Sequence, residues 1–394
     1  MLGKVIYLDN ASTTRMQDDV VNKMINFYTE DFYNPSSIYS SSQRIRTKVE
    51  ECRALIATTL NAKNNEIFFT SCGSESDNWA LKGIALAYAS KGKHIITSKI
   101  EHHAVLNSAK VLEKNGFEVT YLDVDENGIV DIEALEKNIR KDTILVSIMY
   151  ANNEIGVIEP ISQIGSICKK HNIIFHTDAV QAYAHVNIDV NKENIDLLSV
   201  SGHKFGGPKG IGFLYKRSNI NIPSVIEGGS QEMNKRAGTE NVAGIIGMSE
   251  AAKKAFENID NTTKYEKELR DYSINRILTE IPYCRLNGDK YSRLSNNINI
   301  SFNFIEGESL LLLLNKYGIC ASTGSACTSN SLEPSHVLLA IGLPHEIAHG
   351  SLRLTLSSQT TKEEMDFVID KIKDSVNILR RMSPLYEDFI KNNK

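Results

Sequence analysis

Ile173-Ile-Phe-His-Thr-Asp178 and, a short way on, Leu197-Leu-Ser-Val-Ser-Gly-His-Lys204 decide how this chain is read. Each opens on an apolar run without strict polar alternation, the pattern of a strand covered on both faces of a mainly parallel sheet. Each then delivers groups that are costly to bury: His176 and Asp178 in the first, His203 and Lys204 in the second. A strand that ends in such groups points at a site.

Working outward, runs rich in Ile, Val, Leu and Phe recur at 67–69, 94–96, 119–122, 144–149 and 212–215. Amphipathic candidates at 75–89, 104–115, 132–140 and 160–171 lie between them. Strand, helix and strand in succession predict an α/β fold with a mainly parallel sheet flanked by helices. After about residue 261 the character changes. A charged helix (263–281), a strand (297–302), a helix (308–317), a run of small residues, a strand (352–356) and a last helix (362–382) predict a smaller α+β domain. A chain of 394 residues exceeds one ordinary core. We therefore expect a large domain over 16–261 and a small one over 262–394. Residues 1–15 could pack with either and are assigned to the small one.

Composition narrows the function classes. Hydrophobic residues make up 41%, charged residues 23%, and the formal charge is -4, which offers nothing to nucleic acid or an anionic membrane. The aliphatic run 310–314 is far short of the roughly 20 residues a membrane span needs. Residues 1–10 lack the pattern of a secretory signal. The six cysteines, at 52, 72, 168, 284, 320 and 327, form no CxxC pair, so neither a disulfide framework nor a metal site is expected. Free thiols fit a reducing cytoplasm.

Polar groups gather just past the predicted strand ends, where open α/β sheets bind ligands. Gly73-Ser74 opens a helix, whose free N–H groups attract anions; a plain N-cap serine is the simpler reading. His102 follows the second strand and could stack, carry a proton or be merely structural. Asn153 follows the 144–149 run and could be only a turn residue. Asp178 needs a cationic partner or a nearby loop surface. Lys204, placed directly after a buried strand and followed by glycines and a proline, is poorly explained as a solvated charge. A lysine with a depressed amine can form a Schiff base. Cys327 lies in Ala321-Ser-Thr-Gly-Ser-Ala-Cys-Thr-Ser-Asn-Ser331, a small, polar stretch without periodicity, which predicts an exposed loop. A cysteine there is a candidate nucleophile, whereas Cys320 suits packing.

Together these residues resemble a known family. Tyr7-Leu-Asp-Asn-Ala-Ser-Thr-Thr14, Asn34-Pro-Ser-Ser37, Glu75-Ser-Asp-Asn78, Glu101-His102, Asn152-Asn-Glu-Ile-Gly156, His176-Thr-Asp-Ala-Val-Gln181, Ser201-Gly-His-Lys204 and Arg236-Ala-Gly-Thr239 look like the cysteine desulfurases. Gly324-Ser-Ala-Cys327, Leu332-Glu-Pro-Ser-His336 and Gly350-Ser-Leu-Arg353 complete the pattern. These enzymes form a branch of the class V aminotransferases, within the fold-type I group that uses pyridoxal 5'-phosphate (PLP). The long stretch around Cys327 resembles the group I, NifS/IscS-like, branch.

The resemblance implies roles. Lys204 would carry PLP, Asp178 would pair with its ring nitrogen, and His102 would stack on the ring. Gln181 and Asn153 would contact the ring-oxygen side. Gly73, Ser74, Ser201 and His203 would bind the phosphate, with Thr239 from a second subunit. Arg353 would clamp the carboxylate of L-cysteine, with Asn34 beside it. Cys327 would take the sulfur as a persulfide while L-alanine leaves, then pass it to an acceptor. The resemblance also implies a homodimer serving iron–sulfur scaffold proteins and tRNA thiolation. The nearest alternative is selenocysteine lyase or another class V reaction, and a catalytically silent assembly partner is a more distant one. The chain departs from the family's usual residues at Tyr39, Ser42, Cys72, Ser230, Met233-Asn-Lys235 and Ser357-Ser358. None of these is Lys204, Asp178, His102, Cys327 or Arg353. Cys72, in place of a glycine, is expected to crowd the phosphate turn or to add an oxidisable thiol.

Overall fold

The computed structural model describes residues 5–323 and 334–392; Cys327 and its neighbours lie outside them. The main sheet has seven strands: β2 (Ile67–Thr70), β3 (His94–Ser98), β4 (Glu118–Leu122), β5 (Thr143–Ser147), β6 (Ile174–Asp178), β7 (Leu197–Ser201) and β8 (Gly212–Lys216). They follow β1 (Ile6–Tyr7) in the chain and lie in the order β2-β8-β7-β6-β5-β3-β4. From β4 through β7 every pairing is parallel. β8 runs against both of its neighbours, so β2 points the same way as β7. The link from β7 to β8 is shorter than the dozen or more residues a parallel crossover needs, and the strand therefore turns back.

The missing polar alternation has a direct cause, since neighbouring residues of one strand enter different cores. Leu145, Leu197 and Leu214 pack on one face with Trp79 and Ile84. Val146, Leu198 and Phe213 pack on the other with Phe175 and Tyr183. Three helices that the periodicity left unassigned, Asp18–Thr29, Ser40–Thr59 and Val242–Glu257, complete this half.

A separate core joins Ile6 and Leu8 to Ile298, Ile300, Phe302, Leu352, Leu354, Ile369 and Ile372. Its sheet is antiparallel, with β10 (Asn297–Phe302) between β9 (Cys284–Leu286) and β12 (Ser351–Thr355). β1 pairs with β11 (Ile319–Cys320). The N-terminal segment thus packs with the C-terminal part, then crosses to the main sheet, where Thr14 N donates to the carbonyl of His203. None of the described helices is long and apolar enough to cross a membrane.

Candidate active site

β2, β3, β5, β6 and β7 all end on one edge of the main sheet, and the segments that follow them line one cavity of about 350 Å³. Gly73 and Ser74 come from the turn after β2, His102 from the turn after β3, and Asn153 from the segment after β5. β6 and its exit supply Asp178 and Gln181, and β7 and its exit supply Ser201, His203 and Lys204. Arg353, Ala11 and Ser12 close the cavity from the other half of the molecule. The structure thus gathers ten of the expected residues. Asn34 and Thr239 do not line it: both are exposed, and Asn34 Oδ1 accepts from Ser36 N instead.

Lys204 Nζ donates to the carbonyls of Ala11 (2.6 Å) and Ser12 (2.8 Å). Gln181 Nε2 also reaches the Ala11 carbonyl, at 3.0 Å. His203 Nδ1 lies 3.1 Å from Thr13 Oγ1. The segment after β1 is therefore a wall of the site, which strand periodicity gave no means of seeing.

At the floor, Asp178 is buried, and burial pushes its carboxyl up to about 6, although the Val180 N–H and the charge of Lys204 pull it down. Burial pushes His102 down to about 4, helped by Lys204, so the ring is neutral near pH 7. Its Nδ1 accepts from Ala104 N at 3.1 Å, which caps the helix His103–Lys114 and fixes the ring. Asp77, His102 and Asp178 each present one side-chain atom within 4.8 Å of the others.

Arg353 is almost fully buried. Its Nη1 donates to the Asn153 carbonyl, and its Nη2 to Asp9 Oδ1 and Ser12 Oγ, all at 2.9 Å. Its Nε is buried with no partner among the described residues, and so is Ser201 Oγ. Two orphaned polar atoms in one cavity mark places for a ligand. The donor set fits PLP. The helix start at Gly73 and the hydroxyls of Ser74 and Ser201 suit a phosphate, Asp178 a protonated ring nitrogen, His102 a ring face, and Lys204 an aldehyde.

Cys72 also lines the cavity, with φ -174° and ψ 171°. That is extended backbone open to any residue, so the expectation of a crowded turn finds no support there.

The chain belongs to the class V aminotransferases, whose family model matches residues 6–368. Within that class it groups with the IscS/NifS-like, PLP-dependent cysteine desulfurases. It is 54% identical over 393 residues to a protein called cysteine desulfurase IscS from Clostridium botulinum, covering 99% of each chain. A solved NifS-like protein superposes with a TM-score of 0.90 at 38% identity, covering 95% of this chain and all of that one. A structure titled SspA in complex with cysteine matches with a TM-score of 0.81 at 36% identity, over 90% of this chain and 99% of the other.

Proposed function

We propose that the chain is a PLP-dependent cysteine desulfurase that converts L-cysteine to L-alanine and hands the sulfur to an acceptor. The observation that carries this is the single cavity where Lys204, Asp178, His102 and Arg353 meet below the orphaned Ser201 hydroxyl. Bound PLP supplies an aldehyde for the substrate amine and a ring that accepts electrons.

The chain's own residues do the rest. Lys204 holds the cofactor, and its released amine then takes the α-proton of the substrate at Nζ. Asp178 keeps the ring nitrogen protonated. His102 covers one face as a neutral ring. Gly73, Ser74, Ser201 and His203 hold the phosphate, with Thr239 reaching in from a partner copy. Gln181 and Asn153 flank the ring oxygen. Arg353 grips the substrate carboxylate, and its Nε–H, without a partner among the described residues, is the matching donor. The Cys327 thiolate would attack the substrate sulfur; the C–S bond would break with its electron pair left on the carbon skeleton, which is protonated and departs as alanine, and a persulfide would stay on Cys327.

Both flanks of the Cys327 segment support this assignment. Ser322 pairs backbone to backbone with Arg353, and Ser335 Oγ donates to Glu154, next to Asn153. The core that joins Ile6 and Leu8 to Leu269 through Val376 supports a division into 16–261 and 1–15 with 262–394, while Leu294 packs into the main-sheet core and Val337 and Leu338 pack with Ile100 and Met149 across it. A homodimer accounts for Ile25, Tyr28, Phe32, Ile38 and Tyr39, large apolar side chains all exposed along one short stretch. We assign an iron–sulfur scaffold as acceptor and the cytoplasm as compartment. The test is to purify the chain with PLP, record its visible spectrum, add L-cysteine, and assay alanine and sulfide together. Equal alanine and sulfur are expected; a coloured protein that forms neither overturns the reading.

A further inference from the structure

Behind Asp178 stands a second carboxyl that the mechanism above does not use. Asp77 sits in the second turn of the helix Gly73–Tyr88 and is 1% exposed, yet it lines the same cavity. One of its oxygens lies within 4.8 Å of an Asp178 oxygen and of a His102 nitrogen. Its Oδ1 is buried with no hydrogen-bond partner among the described residues.

The groups that face Asp77 come from β6, β7, the turn after β3 and the start of its own helix. β6 brings Asp178 and His176, whose Nε2 is 3.7 Å from Asp77 Oδ1. That histidine cannot supply a charge. Ser147 Oγ (2.8 Å) and Ser199 Oγ (3.0 Å) hold its two nitrogens, and burial pushes it down to about 3. β7 brings Ser199, whose hydroxyl pulls the Asp77 carboxyl down. The turn after β3 brings Glu101 and His102, and Cys72 lies at the helix start. Lys204 faces Asp178. Among the groups that act most strongly on Asp77 there is no arginine or lysine. Two buried carboxyls this close, with one ring nitrogen to neutralise them, cannot both be ionised.

We propose that Asp77 is a positioning residue for the desulfurase reaction, a proton-bearing carboxyl behind Asp178 that keeps Asp178 the ionised partner of the cofactor's ring nitrogen. Burial and the facing Asp178 raise Asp77 well above the usual carboxylate range, which agrees. The inference rests on Asp178 being the ring-nitrogen partner, so its test carries a control for that reading.

The experiment compares wild type, Asp77→Asn, Asp77→Ala and Asp178→Asn. Infrared difference spectra of the cofactor-free proteins (wild type minus Asp77→Asn) at neutral pH are expected to show the carbonyl stretch of a protonated carboxylic acid. A carboxylate band there instead overturns the proposal. In the PLP-loaded proteins, the pH titration of the visible band and the rate of PLP release are followed. Asp77→Asn, neutral and of the same shape, is expected to match wild type within about threefold. Asp77→Ala is expected to titrate at lower pH and to lose PLP at least about tenfold faster. Should Asp77→Ala match wild type, or Asp77→Asn do as much harm as Asp77→Ala, the proposal falls. Should Asp77→Ala not fold, the infrared difference and the Asp77→Asn titration decide it. An Asp178→Asn protein that titrates like wild type removes the underlying reading and the inference with it. A shifted Asp178→Asn beside failed Asp77 arms removes the inference alone.

Discussion

Lys204 shows what a residue can reveal before any fold is known. An ammonium placed at the end of the buried strand β7 needs a partner, and the chain supplies two carbonyls of a distant segment, Ala11 and Ser12. On the proposed role, Lys204→Ala is expected to abolish the visible cofactor band; a spectrum unchanged from wild type rejects the assignment. Cys327→Ser is expected to keep the colour and stop persulfide and sulfide formation, and sulfide release from L-cysteine at the wild-type rate counts against it. Arg353→Lys keeps a charge but loses the planar fork. We expect it to raise KM for L-cysteine about tenfold to a hundredfold, the equivalent of a charged hydrogen bond or two, with less effect on kcat. A steady-state series in L-cysteine measures this split. Asp178 was legible because a carboxylate at the end of an apolar run is conspicuous in a sequence, whereas Arg353 was reached only through the family resemblance. Asp9 and Asp77 were passed over because their meaning depends on what stands opposite them.

At the scale of elements, every strand of the main sheet was visible as an apolar run, and the predicted ends lay within two residues of the observed ones. What was not visible was the segment around residues 230–236. Glu232, Met233 and Asn234 all take positive φ, 45°, 57° and 60°, a region that non-glycine residues rarely adopt. The segment is held by Glu232, which makes a two-pronged pair with buried Arg53 at 2.8 Å and accepts from Phe69 N at 2.8 Å. Strand β2, and with it the phosphate turn, is thereby tied to the stretch that leads to Thr239. Glu232→Ala leaves the buried Arg53 only the exposed Glu50 and the Ile67 carbonyl and is expected to cost about 3 kcal/mol. A midpoint of urea unfolding within experimental scatter of wild type excludes that role. Arg236 makes a second tie, with Nε 2.9 Å from Glu75 Oε1.

For the whole molecule, the buried acids set a pH dependence. Burial pushes Glu154 and Glu266 up to about 7 and Glu159 up to about 8. The folded chain therefore holds these protons more tightly than the unfolded chain, whose glutamates titrate near 4.5. Their stabilisation is complete below that value and is lost as pH rises through 7 and 8. Histidines act with the opposite sign. Burial pushes His102, His203 and His336 down to about 4, so the stability they contribute is present above 6.5 and is lost as pH falls. The Tm of the cofactor-free chain is expected to decline from pH 6.5 to 8.5, with Glu159→Gln flattening the decline. Calorimetry across that range checks both, and a Tm that rises toward pH 8.5 contradicts the sign.

By itself the sequence determined the α/β class, the strands of the main sheet, and five strand ends rich in polar groups. These follow from local periodicity and from the rarity of charge next to apolar runs. Only the tertiary structure decided that residues 9–14 wall the site, that β8 turns back, that Arg353 is held by Asp9, Ser12 and Asn153, and that Asp77 stands behind Asp178. Such facts join residues up to some 340 positions apart. Contacts at that separation arise from packing two cores together, and no periodic pattern within either part records them.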